Sequence, residues 1–451
     1  GANPSCRTVD DWARNATPES DAAMTALKAA IAADWRARVR GTGLSVGLGG
    51  GTLGMGLESA GAAGVISYRP KDSRGVMEVF ETYNTKSPTV ALSCEDYGLV
   101  YRLVENKMGP KLRLNLDAEL LGEQPVANTI ATLKGTTKPN EYIVMSAHID
   151  AWDGGSGATD NGTGTLVMLE AMRILKQVLP NPQRTIMVGH WAGEEMGLVG
   201  SRAFAEDHPE IIAGMQGLFN QDNGTGRVTN LSASGWPDAP NHLLNWFDRL
   251  PKEFQDQAPF YGGGGNRTLG TPGGGSDNAS FACLGAPTFG LGAAQWDYSA
   301  FTWHTERDTY DKIVFDDLKG NATLTAMLVY LASEDPTFVS RDTTIMVVNR
   351  PRPTGLQAAL AGGGGGGRGG RGGGRGGADP NAVTGRVVRT GDSLTVVFSV
   401  STSAPDTAAG GRGGRGGAGG GRGRGGAQAN AGPRTAADCP KAPRATPPRL
   451  R

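Results

Sequence analysis

From Val126 onward, short apolar runs alternate with longer amphipathic ones, and this alternation constrains the fold more than any other feature of the chain. The strand-like runs are NTIATLKG (128–135), EYIVMSAHID (141–150), RTIMVGHW (184–191), GLFNQD (217–222) and APTFGLG (286–292). The helix-like runs are GTLVMLEAMRILKQV (164–178), GSRAFAEDHPEIIAGM (200–215), APNHLLNWFDRLPKEF (239–254) and FDDLKGNATLTAMLVYLAS (315–333). Strands that alternate with helices make a sheet covered on both faces. The expectation is therefore an α/β fold, with a mixed, mostly parallel central sheet and helices on both faces. Ligands of such sheets bind outside the carboxyl ends of the strands.

The residues at those ends are polar in a consistent way. The run 141–150 ends in His148 and Asp150, and the loop after it carries Asp153 and Asp160. The run 184–191 leads into Glu194 and Glu195, 217–222 ends at Asp222, and the last strand is followed by His304 and Asp308. Taken singly, Asp160 in DNG and Asp222 in QDNG read as turn residues, and His304 as a local cap. Taken together they put many acids on one edge, where like charges repel unless cations neutralise them. Imidazole with carboxylate suits zinc. The acids are too many for one tetrahedral ion with three protein ligands, and suit two metals that share a carboxylate. The chain has five histidines. Of the others, His190 is expected to pack on the sheet or behind the site, and His208 and His242 to lie at the surface.

The rest of the chain has a different character. Ser20 to Gly41 reads as one helix with Ser20 as its N-cap. GVISY (64–68), TVALS (89–93) and KLRLNLDAEL (111–120) read as strands, with a helix over 94–107, so this part is a small α+β module. The tail is rich in Gly and Arg, with one strand-like piece at 383–401, and its Gly/Arg blocks cannot bury a core and are expected to be disordered. From Pro351 onward there are fifteen Arg or Lys against four Asp or Glu, which leaves 29 basic against 40 acidic residues in the body. No apolar run is long enough to cross a membrane. The four cysteines show neither zinc-knuckle spacing nor a dense disulfide framework.

The stretches SAHIDAWDGGSGATDNGTG, GEEMGLVGS, NQDNG, GGGSDNASF and WHTERDTYDKI resemble, in order, the motifs of the co-catalytic di-zinc exopeptidases. That family includes secreted bacterial aminopeptidases, carboxypeptidase Q and glutamate carboxypeptidase. Residues 41–122, with AGAAGVISY and SPTVALSCEDYGLVYRL, resemble in part the protease-associated domain inserted into such enzymes. The resemblance implies the protease-associated-like domain (41–122) and a di-zinc peptidase domain (123–345); the N-terminal helical segment (1–40) and the low-complexity tail (346–451) follow from their own residues, and the tail resembles nothing in the family. It implies two Zn2+, with His148 and Asp222 on one, Glu195 and His304 on the other, and Asp160 bridging. Glu194 would be the general base and Asp150 the partner of His148. It also implies peptide substrates cut at chain ends, and a secreted or periplasmic location. The sequence departs from the family at Asn278, where many relatives have histidine, and at glycines 273–275, where some have tyrosine. Ser276, Asn278 and Tyr298 are the candidates for the remaining oxyanion or substrate contact, and the glycine-rich stretch 260–277 reads as a wall of the pocket or a loose loop.

Three rivals differ in testable ways. GGSGA (154–158) approximates the GxSxG elbow of a serine hydrolase, which a chelator would leave active. The Arg-rich tail resembles RNA-binding segments, but no aromatic residue interleaves its Gly/Arg blocks, so a flexible basic linker is the better reading. A non-catalytic, receptor-like member of the same fold would be expected to have lost ligands or Glu194, and this sequence keeps them all.

Overall fold

The computed structural model of the chain describes residues 2–44, 53–69, 74–80, 84–117, 119, 121–122, 124–262, 275–348 and 350, with the backbone of two strands inside 383–400. Two compact units emerge, Gly1–Gly365 with Gly432–Arg451, and Gly366–Ala431.

The chain opens with helices α1 (Val9–Asn15) and α2 (Pro18–Gly41). Thr17, not Ser20, caps α2: its hydroxyl accepts from the Ser20 N–H at 3.3 Å. The helix therefore starts earlier than expected, because Pro18 is well tolerated in a first turn where its missing N–H costs nothing. A short helix α3 (Leu53–Ser59) precedes two parallel strands, β1 (Val65–Ser67) and β2 (Thr89–Ala91). Helix α4 (Cys94–Glu105) follows, capped by Ser93. A disulfide joins Cys6 to Cys94. The strand expected over 111–120 is not formed among its described residues. Leu112, Leu114 and Leu116 keep the alternation but stand exposed, and alternation without a pairing partner does not make a strand.

The second region carries strands β3 (Thr129–Leu133), β4 (Lys138–His148), β5 (Arg184–Trp191), β6 (Met215–Asn220), β7 (Val228–Ser234) and β8 (Thr288–Ala293). Its helices are α5 (Thr163–Val178), α6 (Val199–Asp207), α7 (Pro209–Ala213), α8 (Ala239–Phe247), α9 (Lys252–Gln257), α10 (Asn278–Cys283) and α11 (Phe315–Ser333). Two expected helices are each split at a proline, Pro209 and Pro251, which cannot continue the ladder of the helix before it. The strands pair in the order β3-β5-β4-β6-β8-β7. The inner four are parallel and both edge strands are antiparallel, which is the mixed, mostly parallel sheet expected. Strand β7 was not expected; its polar sequence VTNLSAS buries only Val228, Leu231 and Ala233.

Side chains of the central strands divide by period two. Ile143, Met145, Ala147, Ile186, Val188 and Phe219 pack with Met168, Ala171 and Leu175 of α5 and Leu324 and Leu328 of α11. Val144, Met187, Trp191 and Leu218 pack on the other side with Phe204 of α6, Ile211 and Ile212 of α7, and Phe281 of α10. Each such side chain contributes about 1.5–3 kcal/mol when fully buried. Arg184, also fully buried, fastens the start of β5 to the end of α11. It donates to the carbonyls of Ala332 (3.1 Å), Ser333 (3.0 Å) and Thr337 (2.9 Å), and to Glu141 (2.7 Å). A cation is favoured at that end of a helix.

From β4 the chain moves to β5 on one side and then to β6 on the other. Strand β4 therefore flanks a topological switch point, and a crevice opens at its carboxyl end. Within 383–401, two strands pair antiparallel, β9 (Val383–Thr390) and β10 (Ser393–Val400). The Gly/Arg blocks and residues 263–274 of the glycine-rich stretch lie outside the described residues. No helix among the described residues is long and apolar enough to cross a membrane.

Candidate metal centre

His148 ends β4 in the middle of the crevice. Its Nδ1 lies 3.0 Å from the backbone carbonyl of Asp150. A carbonyl only accepts, so Nδ1 carries a proton. Nε2 then faces two carboxylates, Asp222 Oδ1 at 3.3 Å and Asp160 Oδ1 at 3.4 Å. A lone pair aimed at anionic oxygens is tolerable only with a second ring proton or a cation between them. Burial would lower the His148 pKa, but the charge of Asp222 and bonds to Asp150, Asp160 and Asp222 hold it well above the ordinary value.

A second group forms beside the first. His304 Nε2 lies 3.0 Å from Glu195 Oε2 and 3.3 Å from Asp160 Oδ2. Asp160 thus turns one oxygen to each histidine. His148, Asp160 and Asp222 bring ligand atoms within 4.8 Å of one another, as do Asp160, Glu195 and His304, and His148, Glu194 and Glu195. His190 joins none of these groups. It sits buried on β5, opposite Thr129 of β3, where burial lowers its pKa.

The loops are held from behind. Asp308 Oδ1 accepts from the Thr159 N–H and hydroxyl, both at 2.7 Å, and its Oδ2 from the Asp160 N–H at 2.9 Å. The Asp150 carboxylate accepts from the N–H groups of Glu194 (3.0 Å) and Glu195 (3.1 Å). Asp150 thus meets His148 chiefly through its carbonyl, with its carboxylate 3.7 Å from Nδ1, and spends that carboxylate on the two glutamates. His304 is held with φ +59, a left-handed conformation that costs of order 1–3 kcal/mol in a residue with a β-carbon.

The electrostatics are those of buried acids short of positive charge. Among the described residues the ion-pair partners of Asp160, Glu195 and Asp222 are His148 and His304 alone. Burial pushes Asp160 and Glu195 up to about 7. Burial, then the charge of Asp222, lifts Glu194 well above the carboxylate range, and Asp277 adds repulsion to it. Burial also pushes Asp277 itself up to about 7. Burial works against ionisation of Asp222 too, but His148 keeps its pKa below the ordinary value. Glu195 Oε1 is buried without a hydrogen bond, and Asp160 Oδ2, 3.3 Å from His304 Nε2, makes none of good geometry. Orphaned carboxylate oxygens cost free energy, and a cation shared by imidazole and carboxylate removes that cost. The donor set fits zinc.

The remaining candidates divide. Ser276 is buried; its Oγ accepts from Asn220 Nδ2 at 3.0 Å and bonds Asp222, so it supports a ligand. Tyr298 is buried against Gly224, where an added Cβ would come within 2.8 Å of its ring. Burial and the charge of Asp160 raise its phenol pKa, so it stays a neutral donor. Asn278 is the half-buried first residue of α10. Asp153 is exposed in a turn. The GGSGA loop forms no strand–turn–helix elbow, and the Ser156 hydroxyl donates to the Asp308 carbonyl at 3.1 Å. His242, expected at the surface, is buried between Asp238 (3.2 Å) and Asp335 (3.1 Å).

The family profile described as Peptidase family M28 matches residues 128–329. This region is similar to that peptidase family. Relatives of the M28 region include carboxypeptidase Q from Xenopus laevis, 29% identical over 160 residues, which covers 36% of this chain and 34% of that protein. Another is the aminopeptidase NAALADL1 from Mus musculus, 30% identical over 216 residues, covering 42% of this chain and 28% of that one. Among solved structures, a peptidase M28 precursor from Shewanella amazonensis SB2B superposes with a TM-score of 0.53 at 25% identity, covering 65% of this chain and 63% of that one. The chain spans about a third of the length of the curated relatives it matches.

Proposed function

We propose that the chain is a zinc-dependent exopeptidase that hydrolyses peptide bonds at chain ends. The observation that carries this reading is the pair of ligand groups joined through Asp160. The M28 family match and the names of the relatives support it: a carboxypeptidase and an aminopeptidase.

In this reading His148 and Asp222 would hold one zinc and Glu195 and His304 the other, with Asp160 shared between the two groups. Bound there, the two ions would supply a lowered water pKa and polarisation of the scissile carbonyl. Glu194 is the general base. Its buried carboxylate, raised well above the usual range, is suited to take a proton from the attacking water and return it to the departing amine. Asp150 fixes Glu194 and Glu195 through their backbone N–H groups and orients His148 through its own carbonyl. Tyr298 is a neutral hydroxyl beside the bridging acid, and Ser276 braces Asp222. Asn278 remains the candidate for a substrate contact.

The same reading assigns residues 1–40 to an N-terminal helical segment, 41–122 to a protease-associated-like domain, 123–345 to the peptidase domain and 346–451 to the tail. A secreted or periplasmic location is supported by the Cys6–Cys94 disulfide, since such bonds persist in oxidising compartments. The test is a peptide panel with free or blocked termini, run on zinc-loaded and chelator-treated protein. Zinc-dependent cleavage of substrates with a free terminus is expected. Cleavage that persists unchanged in chelator, or that is confined to internal bonds, would overturn the reading.

A further inference from the structure

His304 is the ligand with the least local support from the central sheet. It lies in the loop after β8, its backbone is left-handed, and it is followed by an irregular turn. What braces it comes from elsewhere in the chain. Residues 76–80, between β1 and β2, run alongside 303–306. Glu78 forms an antiparallel bridge with Thr305. The Val79 N–H donates to the His304 carbonyl at 2.8 Å. On the far side of this contact the Met77 N–H donates to Glu306 Oε2 at 3.1 Å, while Val76 and Glu78 are buried.

The strip ends in an aromatic side chain laid on the ligand itself. The Phe80 ring is 4.4 Å from the His304 imidazole, centre to centre, and the Trp303 ring is 4.1 Å from it. Trp152, from the loop after β4, stands at 6.0 Å from His304 and 6.2 Å from Phe80. Phe80 is pinned in turn by the Arg69 guanidinium, 3.8 Å from its ring centre, and Arg69 pairs with buried Glu78 at 3.1 Å. Aromatic contacts at such centroid distances contribute about 0.5–1.5 kcal/mol beyond burial.

We propose that residues 76–80 clamp His304, with Phe80 as a positioning residue, so that the metal centre is completed by the N-terminal part of the chain. The proposal rests on the zinc reading above. Groups behind a metal ligand tune affinity by about 10–100-fold, and the clamp acts there by holding the imidazole plane and the His304 carbonyl together.

The test compares zinc affinity, by competition with a chromophoric chelator, in the full chain and three variants. Phe80→Ala should weaken zinc binding about 10-fold or more, and Phe80→Tyr should restore it. Glu306→Ala, which loosens the strip without touching His304, should weaken binding in the same direction by a smaller factor. In a His304→Ala background, Phe80→Ala should have no further effect on affinity, because coupled residues are not additive. The thermal midpoint in chelator reads the structural cost of losing the Phe80 contacts, expected for Phe80→Ala and not for Phe80→Tyr, separately from zinc affinity. If wild type takes up zinc and Phe80→Ala binds it within about twofold of wild type, the clamp is overturned and the site reading stands. If wild type takes up no zinc, both are overturned.

Discussion

Glu194 and Glu195 are adjacent, buried and both short of neutralising charge, yet their environments differ. Glu195 reaches His304, whereas Glu194 meets Asp222 and Asp277 as repulsive neighbours. Exchange of Glu194 for Gln keeps the shape and removes the proton acceptor. Glu194→Gln is expected to lower kcat by about 10²–10⁴-fold with zinc content unchanged by metal analysis; full activity would remove the base from this residue. Asp308 makes a different prediction. Asp308→Ala leaves the N–H groups of Thr159 and Asp160 without their acceptor, while the Thr159 hydroxyl keeps Thr302 Oγ1 at 2.8 Å. Each orphaned group costs about 1–3 kcal/mol, so chemical denaturation should show a clear loss, accompanied by about 10–100-fold weaker zinc binding. The ligand candidates were legible in the sequence because each follows a strand directly or stands in a distinctive motif. The grip of Asp308 on Thr159 and Asp160 was not, since it joins backbone groups far apart in the chain. His242 was misread for the same reason: Asp335, one of the two acids that bury it, is contributed from beyond α11.

Among elements, one side chain makes several of the bonds that fasten β5 to α11, beside those of Gln183 to Glu334. Arg184 is buried with donors spent on four carbonyls and Glu141. Arg184→Met removes the charge and strands Glu141 and the last carbonyls of α11. A loss of about 1–3 kcal/mol in unfolding free energy for each carbonyl left without a donor is expected, with zinc content unchanged in the protein that remains folded. An unaltered thermal midpoint would mean that the helix end is held without Arg184. Strand and helix periodicity made the central elements readable. The divisions at Pro209 and Pro251 could have been read from the prolines themselves. Strand β7 could not, because its polar residues pair along an edge and carry little apolar signal. The alternation at 111–120 misled in the opposite sense, having the pattern of a strand and no neighbour to pair with.

For the molecule as a whole, the acids of the centre link stability to pH. Burial raises Asp160 from 3.8 and Glu195 from 4.5 to about 7. The zinc-free folded state therefore binds these protons more tightly than the unfolded chain. The stabilisation they give is complete below about pH 4 and is lost as pH rises through about 7. In chelator, their contribution should make the thermal midpoint fall between about pH 5 and pH 8, where added zinc should raise it more at the upper end because the ligands are already ionised. An equal zinc-induced shift at both ends would argue against these two acids as ligands. The position of the site on the switch point has one more consequence, for synthesis. The first ligand, His148, leaves the ribosome early, but the last, His304, follows β6, β7, three further helices and β8. A nascent chain can offer only incomplete sets of ligands until nearly the whole domain has emerged. In the zinc reading the ligand set is therefore completed only at residue 304, with residues 305–451 still to be made.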